Sequence, residues 1–186
     1  ALSKTFPFVV ILILFITFLI LVRTFQSILL SAKAIILDLI SIGIAFSALV
    51  VVFKFGVGTY QLEQIEAWVL ILLFAILFGL SMDYEIFIVS RIREAHDRGA
   101  SNEEAIREGM RSSGTVVTVA ALIFISAVTG LATGHFAGLQ QLGVGLAIGV
   151  IVDATIIRGL LLPSAMVLLG RWNWWMPRHG KTPTLK

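Results

Sequence analysis

Five long apolar runs constrain this chain more than any other feature of its sequence. A bilayer hydrocarbon core of about 30 Å requires roughly 20 apolar residues of helix. Runs of this kind lie at about residues 6–22, 34–53, 67–90, 115–132 and 142–162. Strands are excluded because polar and apolar residues do not alternate, and because a lipid-exposed sheet edge leaves backbone groups unbonded. The sequence therefore predicts an all-α integral membrane protein, with a five-helix transmembrane domain at residues 1–170.

The composition agrees with a membrane protein and excludes several other classes. Hydrophobic residues make up 58% of the chain and charged residues 13%, whereas an ordinary soluble domain is about one quarter charged. There is no cysteine, which excludes disulfides and thiolate metal sites. The net charge of +3 is dispersed between the apolar runs, so we expect no nucleic-acid partner. We also expect no metal and no other cofactor. Because the chain opens without Met, we expect it to be part of a larger protein.

Lys and Arg are distributed unequally between the two sides of the predicted bundle. Eleven lie on one side, whereas the other side has only Lys4 and Lys54. By the positive-inside rule, the connector at residues 91–113 and the basic tail at residues 171–186 are cytoplasmic. Within the connector, Ser101 and Glu104 have the spacing of a capping box, which predicts the start of a short amphipathic helix.

The third run contains adjacent polar residues at a depth where an ionised side chain costs at least a few kcal/mol. They are Asp83, Tyr84 and Glu85, and Gly79 lies one i+4 step before Asp83 on the same helix face. An acid at this depth can exchange a proton because apolar surroundings disfavour its charged form, and the neighbouring phenol can hydrogen-bond to it. The alternative interpretation is a buried structural acid paired with a cation.

The fifth run contains a second set of unusual residues. Gly145, Gly149 and Asp153 follow one another at i+4 spacing, which lets another helix approach closely. Arg158 lies five residues beyond Asp153, or roughly 140° around an α-helix, so we expect no pairing between them within the helix. Arg158 then either finds a partner elsewhere or reaches the cytoplasmic interface near Pro163.

Asp38 lies about one turn into the second run, shortly after Lys33. We interpret Asp38 as a residue of the helix start and the membrane interface, and Lys33 as part of the cytoplasmic positive charge.

The residues from Gly79 to Phe87, continuing into the segment from Ser90 to Glu94, resemble a Resistance-Nodulation-Division transporter. The specific resemblance is to the mycobacterial membrane protein large (MmpL) family of actinobacterial lipid exporters. The residues from Gly145 to Asp153, followed by Arg158 and Pro163, resemble the closing helix of that family. The resemblance implies a twelve-span transporter of the bacterial inner membrane, of which this chain supplies the last five spans of the C-terminal half.

The same resemblance implies a function. It indicates a proton-motive-force-driven exporter of lipids or other hydrophobic molecules, not an enzyme, in which Asp83 and Tyr84 form half of a proton relay. The supporting and helix-packing residues would be Gly79, Glu85, Gly145, Gly149, Asp153 and Arg158. The implied partners are membrane lipids, a hydrophobic substrate, the missing N-terminal half with the external domains, and a further copy of the chain in a homo-oligomer. We expect the face bearing Gly79, Asp83 and Gly149 to lack a partner within this chain.

Two other functions fit parts of the sequence. Asp83 and Asp153 could form the dyad of an intramembrane aspartyl protease, although the order Asp83-Tyr84 is the reverse of that family's motif. A sterol-sensing-like or structural five-span module would share the topology without transporting anything. The Asp83-Tyr84 pair favours a transporter over that module.

Overall fold

A computed structural model of the chain describes residues 2–56 and 65–174. Its first helices are α1 (Leu2–Phe25), α2 (Ile28–Lys54), α3 (Ala67–Asp97), α4 (Asn102–Ala132) and α5 (Ala137–Val152). The chain then continues through a π-helical segment (Asp153–Leu161), α6 (Leu162–Leu169) and a 3₁₀ turn (Gly170–Trp174). Five stretches are long and apolar enough to cross a membrane, the last being Ala137–Leu169, and the described residues contain no strand. The predicted all-α, five-helix class is confirmed.

The connector between the third and fourth spans is part of the two long helices and contains no separate element. α3 continues to Asp97 and α4 begins at Asn102, which leaves a short turn in which Gly99 has a φ of +99°. The capping box is confirmed: the Ser101 hydroxyl accepts from the Glu104 amide at 3.3 Å, and the Glu104 carboxylate accepts from the Ser101 amide at 3.0 Å. It opens α4 itself. The part of the basic tail at residues 175–186 lies outside the described residues.

Small residues allow the helices to approach one another closely. A Cβ added at Gly143 of α5 would lie 2.5 Å from the Ala132 amide nitrogen, and one at Gly109 of α4 would lie 2.7 Å from the Ile92 amide nitrogen. The α5 helix packs against α2, α3 and α4, whereas α1 packs mainly against α2. Large apolar side chains such as Phe8 are exposed on the outside of the bundle, as expected for a surface that faces lipid.

Polar contacts fix the helix ends at one side of the bundle. Arg93 of α3 donates to the carbonyl of Phe25 at the end of α1, which satisfies a backbone group that the helix leaves unbonded. At the end of the fifth span, the Trp174 indole N–H donates to Asn102 Oδ1 at 3.1 Å, and its ring stacks on His96 with centroids 4.2 Å apart. These contacts help to fix the register of α3, α4 and the fifth span, on which the alignment of the polar residues in mid-bundle depends.

Candidate functional site

A network of buried polar side chains lies where α2, α3 and the π-helical segment meet. Its members come in pairs from the three elements, and all are buried: Lys33 and Asp38, Ser81 and Glu85, Asp153 and Arg158. The network thus joins two cations, three acids and one hydroxyl. Because isolated charges in an apolar interior are very costly, these groups must compensate one another.

Arg158 lies at the centre of this network. Its Nε donates to Asp153 Oδ2 at 2.8 Å, and its Nη2 donates to the Ser81 hydroxyl at 2.8 Å and to the Ser81 carbonyl. Hydrogen bonds between ionised partners are among the strongest in proteins. Arg158 therefore joins the fifth span to α3.

The expectation that Asp153 and Arg158 do not pair within their helix is wrong. It assumed α-helical geometry, but this segment is π-helical, and the Leu162 amide bonds to the Ile157 carbonyl five residues earlier. In a π-helix, residues five apart lie close to one turn from each other. Nor does Arg158 reach the interface, because its side chain is 3% exposed and the helix continues past Pro163 to Leu169.

Ser81 connects the ion pair to α2. Its Oγ contacts Asp38 Oδ1 and lies 3.0 Å from Asp153 Oδ1. The interpretation of Asp38 as an interfacial residue is therefore wrong: its exposed fraction is 0%, and Lys33 is buried as well. The reason is the length of α2, which begins at Ile28. Asp38 is ten residues beyond that start, roughly 15 Å along the helix axis at 1.5 Å per residue.

Several polar atoms of the network have no hydrogen-bond partner among the described residues. They are Lys33 Nζ, Asp38 Oδ2, Glu85 Oε1 and Arg158 Nη1. Three of these side chains, those of Asp38, Glu85 and Arg158, line a narrow crevice together with Leu37, Ile157 and Leu162. A buried polar group without a partner destabilises the fold by about 1–3 kcal/mol. Several unpaired polar groups in one place therefore indicate a functional site and not an arrangement that stabilises the fold.

Asp83 and Gly79 lie on a different face of α3. The Asp83 side chain is exposed, and a Cβ added at Gly79 would meet no atom within 4 Å. Tyr84 lies between the two faces: it is half-buried, and the Arg158 guanidinium carbon lies 5.5 Å from the centre of its ring. The structure thus brings Tyr84 and Glu85 to the network but leaves Asp83 outside it.

Gly145 and Gly149 lie where α5 meets α3. A Cβ added at Gly149 would lie 2.5 Å from Leu77 Cδ1, and one at Gly145 would lie 3.0 Å from Leu73 Cδ1. The expectation that Gly149 shares an unpartnered face with Gly79 and Asp83 is therefore wrong, because α3 covers Gly149.

The roles of three network residues were missed from the sequence, namely Lys33, Asp38 and Ser81. For the first two a signal existed, since both are charged residues within a 27-residue apolar helix. The same argument that selected Asp83 applies to them, because an ionisable group in a membrane helix normally faces a bundle interior. Ser81 precedes Glu85 by one i+4 step, which places both on one face of α3.

Comparisons with known proteins match this chain to one family of membrane proteins. MmpL11 of Mycobacterium tuberculosis, named a heme uptake protein, is 39% identical over 148 residues, covering 77% of this chain and 15% of that protein. MmpL11 of Mycolicibacterium smegmatis, named a mycolic acid-containing lipids exporter, is 38% identical over 148 residues, with coverage of 77% and 16%. The trehalose monomycolate exporter MmpL3 of the same organism is 41% identical over 126 residues, with coverage of 68% and 12%.

The chain spans less than one fifth of the length of these three relatives. A family model described as the MMPL family matches residues 1–185. That match covers nearly the whole sequence, including the motifs around Asp83 and Asp153, and the five long apolar helices agree with it. The chain therefore belongs to the MMPL family of multi-pass membrane proteins.

Proposed function

We propose that this chain forms one membrane half of a larger exporter, which uses the proton motive force to move lipids or other hydrophobic molecules. Membership of the MMPL family and the names of its relatives support a transporter. The single structural observation that carries the proposal is the position of Asp83. This acid lies in the middle of a membrane-spanning helix, is exposed, and has the open Gly79 surface beside it.

The exposed position of Asp83 requires a protein partner. A carboxylate that faced lipid in mid-membrane would cost at least a few kcal/mol, so such residues normally face a bundle interior or a polar pathway. The open Gly79 surface permits the close helix contact that small residues favour in membranes. We infer that the other half of the transporter covers this face and brings a matching acidic and phenolic pair to Asp83 and Tyr84.

Proton binding at Asp83 would couple the membrane potential to helix packing. A proton that crosses a potential of 100 mV releases about 2.3 kcal/mol. Protonation also removes the charge of Asp83 from the contact between the two halves, so the two protonation states favour different packings. Tyr84 would transmit the change, since its ring lies beneath Arg158 of the buried network.

The proposed substrate is a lipid or another hydrophobic molecule with a polar part. The names of the relatives include exporters of trehalose monomycolate and of mycolic acid-containing lipids. We assign substrate selection to the external domains of the larger protein, because Asp83, Tyr84 and the buried network all lie within the membrane-spanning helices. The export step would draw its substrate from the surrounding membrane lipids.

The decisive experiment replaces Asp83 in the full-length protein reconstituted in liposomes. Asp83→Asn keeps the shape of the side chain but removes the titratable group, so proton-driven export of a fluorescent lipid should fall to background. The variant should still insert and fold, because asparagine keeps the hydrogen-bonding capacity and Asp83 lies outside the buried network. Glu103→Gln is the matched control, since it makes the same chemical change at an exposed residue near the start of α4. Normal proton-dependent export by Asp83→Asn would show that the relay assignment is wrong.

The proposed orientation places the α3–α4 turn and the C-terminus in the cytoplasm of a bacterial cell. A cysteine introduced at Gly99 in this turn should then be protected from an impermeant thiol reagent in intact cells. A cysteine at Gly134, in the turn between α4 and α5, should react with it. This chain contains no native cysteine, and the full-length protein without an introduced cysteine is the control for labelling elsewhere. Labelling at Gly99 from outside would reverse the orientation.

The isolated chain offers a separate test of the missing half. Its uncovered face at Gly79 and Asp83 should make it self-associate in detergent, and Gly79→Leu should weaken that association because the added side chain separates the helices. A monomer in several detergents would argue that this face needs no partner.

The alternative functions gain less support. A protease dyad requires two aspartates that share a site. Here Asp153 is bound by Arg158 and Ser81, and Asp83 lies on another face of the bundle. A non-transporting module predicts that the full-length protein moves no lipid even when a proton gradient is imposed, so the export assay distinguishes it from a transporter.

A further inference from the structure

The Ser81 hydroxyl contacts two aspartates, and its hydrogen bonds are incompatible with both of them being ionised. Its Oγ lies 2.8 Å from Arg158 Nη2 and 3.0 Å from Asp153 Oδ1, and it also contacts Asp38 Oδ1. A hydroxyl has one hydrogen to donate and two lone pairs with which to accept. Since guanidinium only donates, Arg158 occupies one lone pair. The single hydroxyl hydrogen can then satisfy only one of the two carboxyl groups.

The other carboxyl group must therefore carry a hydrogen of its own, because two oxygens without a hydrogen between them repel each other. Asp153 accepts the 2.8 Å hydrogen bond from Arg158 Nε, which stabilises its ionised form. The consistent pattern is that Asp38 donates to Ser81, and that Ser81 donates to Asp153. The hydrogen-bond geometry thus assigns a proton to Asp38.

The charge balance of the buried network supports the same assignment. The network has two cations and three acids, so it would carry one uncompensated negative charge if every group were ionised. A proton on Asp38 makes the network neutral. It also lowers the cost of leaving Asp38 Oδ2 without a partner among the described residues. The carbonyl oxygen of a neutral carboxyl group costs less free energy to bury than a carboxylate oxygen.

The groups that surround Asp38 come from three elements. They are Lys33 on its own helix, Ser81 and Glu85 from α3, and Asp153 and Arg158 from the π-helical segment. Glu85 is the other buried acid that could hold the proton. It lacks the contact with Ser81 that makes the assignment to Asp38.

We propose that Asp38 is a proton-binding residue that passes its proton to Asp153 through the Ser81 hydroxyl. In this step the O–H bond of Asp38 breaks as an O–H bond forms on Ser81 Oγ. The original Ser81 hydrogen moves to Oδ1 of Asp153. Asp38 becomes charged and Asp153 neutral, so the attraction between Asp153 and Arg158 weakens.

This transfer would reach the proposed relay through Arg158, whose guanidinium lies over the Tyr84 ring. The part that Asp38 plays in export rests on the proposed function. Its protonation does not, because the hydrogen-bond geometry within this chain carries that assignment alone.

Infrared spectroscopy of the full-length protein in lipid membranes tests the proton directly. The wild-type protein at neutral pH should show the C=O stretching band of a protonated carboxyl group, and Asp83→Asn should keep the Asp38 component of that band. Asp38→Asn should lose it. A band that stays intact in Asp38→Asn would overturn the proposal, and so would a band that disappears only in Glu85→Gln.

Two further measurements keep the test independent of how well Asp38→Asn folds. Ser81→Ala should shift the frequency of the band because the carboxyl group loses its acceptor, and an unshifted band would contradict the assignment. Asp38→Asn should also unfold at the wild-type temperature, since the asparagine N–H donates to Ser81 as the protonated acid does. If this variant unfolds as early as Asp153→Asn, Asp38 is ionised and the proposal fails.

The outcome for Asp38 can be separated from the outcome for the proposed function. If the wild-type protein exports no lipid, the proposed function fails while the infrared band still decides the protonation of Asp38. If export is proton-driven and the Asp38 band is present, Asp38→Asn should reduce the coupling of export to the proton gradient. Undiminished coupling would overturn the role of Asp38 in the relay.

Discussion

The two faces of α3 differ although their residues alternate within one short motif. Ser81 and Glu85 lie in the buried network, with Glu85 only 2% exposed, whereas Gly79 and Asp83 lie on an open face. The inner face finds its partners in α2 and the π-helical segment. The outer face finds none among the described residues. One stretch of seven residues, Gly79 to Glu85, thus contributes to the fold of this chain and to a surface that the chain alone does not cover.

This difference separates the expected effects of substitution. Residues of the inner face hold three elements together, so changing them should alter the stability of this chain. Substitutions on the outer face should not destabilise this chain, and they should affect mainly the contact with a partner. The comparison fails if the two faces respond alike.

The largest expected effect comes from Asp153→Asn. It leaves Arg158 as a buried cation without its ionised partner, and breaking a buried pair in this way costs about 3–5 kcal/mol. Asp83→Asn is the outer-face counterpart with the same chemical change, and exposed substitutions usually stay within about 0.5 kcal/mol. Unfolding of both variants in detergent measures the difference. Equal destabilisation would mean that Asp83 is also a structural acid.

The glycines provide a second pair with a smaller expected difference. Gly149→Ala places a Cβ 2.5 Å from Leu77, and overpacking of this kind typically costs about 1–3 kcal/mol. Gly79→Ala meets no atom within 4 Å and should gain up to about 1 kcal/mol from the better helix propensity of alanine. Measuring the free energy of unfolding of the isolated chain with each substitution compares Gly149→Ala with Gly79→Ala. A destabilising Gly79→Ala would show that the outer face is covered within this chain.

The fold could be predicted from the sequence because the bilayer makes the signal strong. Twenty apolar residues in succession have few alternatives to a transmembrane helix, and the Ser101-Glu104 capping box was visible in the spacing alone. The predicted helix ends were less accurate. The predicted apolar spans stop where charged residues begin, whereas α3 and α4 continue through charged residues that water can solvate.

The site was predicted only in part, for two physical reasons. The pairing of Asp153 with Arg158 depends on a π-helical segment, which a calculation at 100° per residue does not anticipate. The burial of Lys33 and Asp38 depends on how α2 packs against α3 and the fifth span, and one helix alone does not determine which of its faces is covered. Asp83 and Tyr84 stand out in the sequence because they are adjacent, whereas the network is assembled from residues far apart in the chain.

Tyr84 lies at the boundary of the two faces and gives the smallest effect, which is also the most informative. Tyr84→Leu removes the ring beneath Arg158 and should cost about 0.5–2 kcal/mol, the range of a cation–π contact. Tyr84→Phe keeps the ring, so the free energy of unfolding should change by less than about 0.5 kcal/mol.

If the phenol takes part in the proposed relay, Tyr84→Phe should still weaken proton-coupled export in the full-length protein, because only the hydroxyl can form a hydrogen bond with Asp83 or its partner. Reduced coupling at unchanged stability would link the outer face to the buried network through this one side chain. Full coupling in Tyr84→Phe would leave Tyr84 a packing residue, and the two faces of α3 would then act independently.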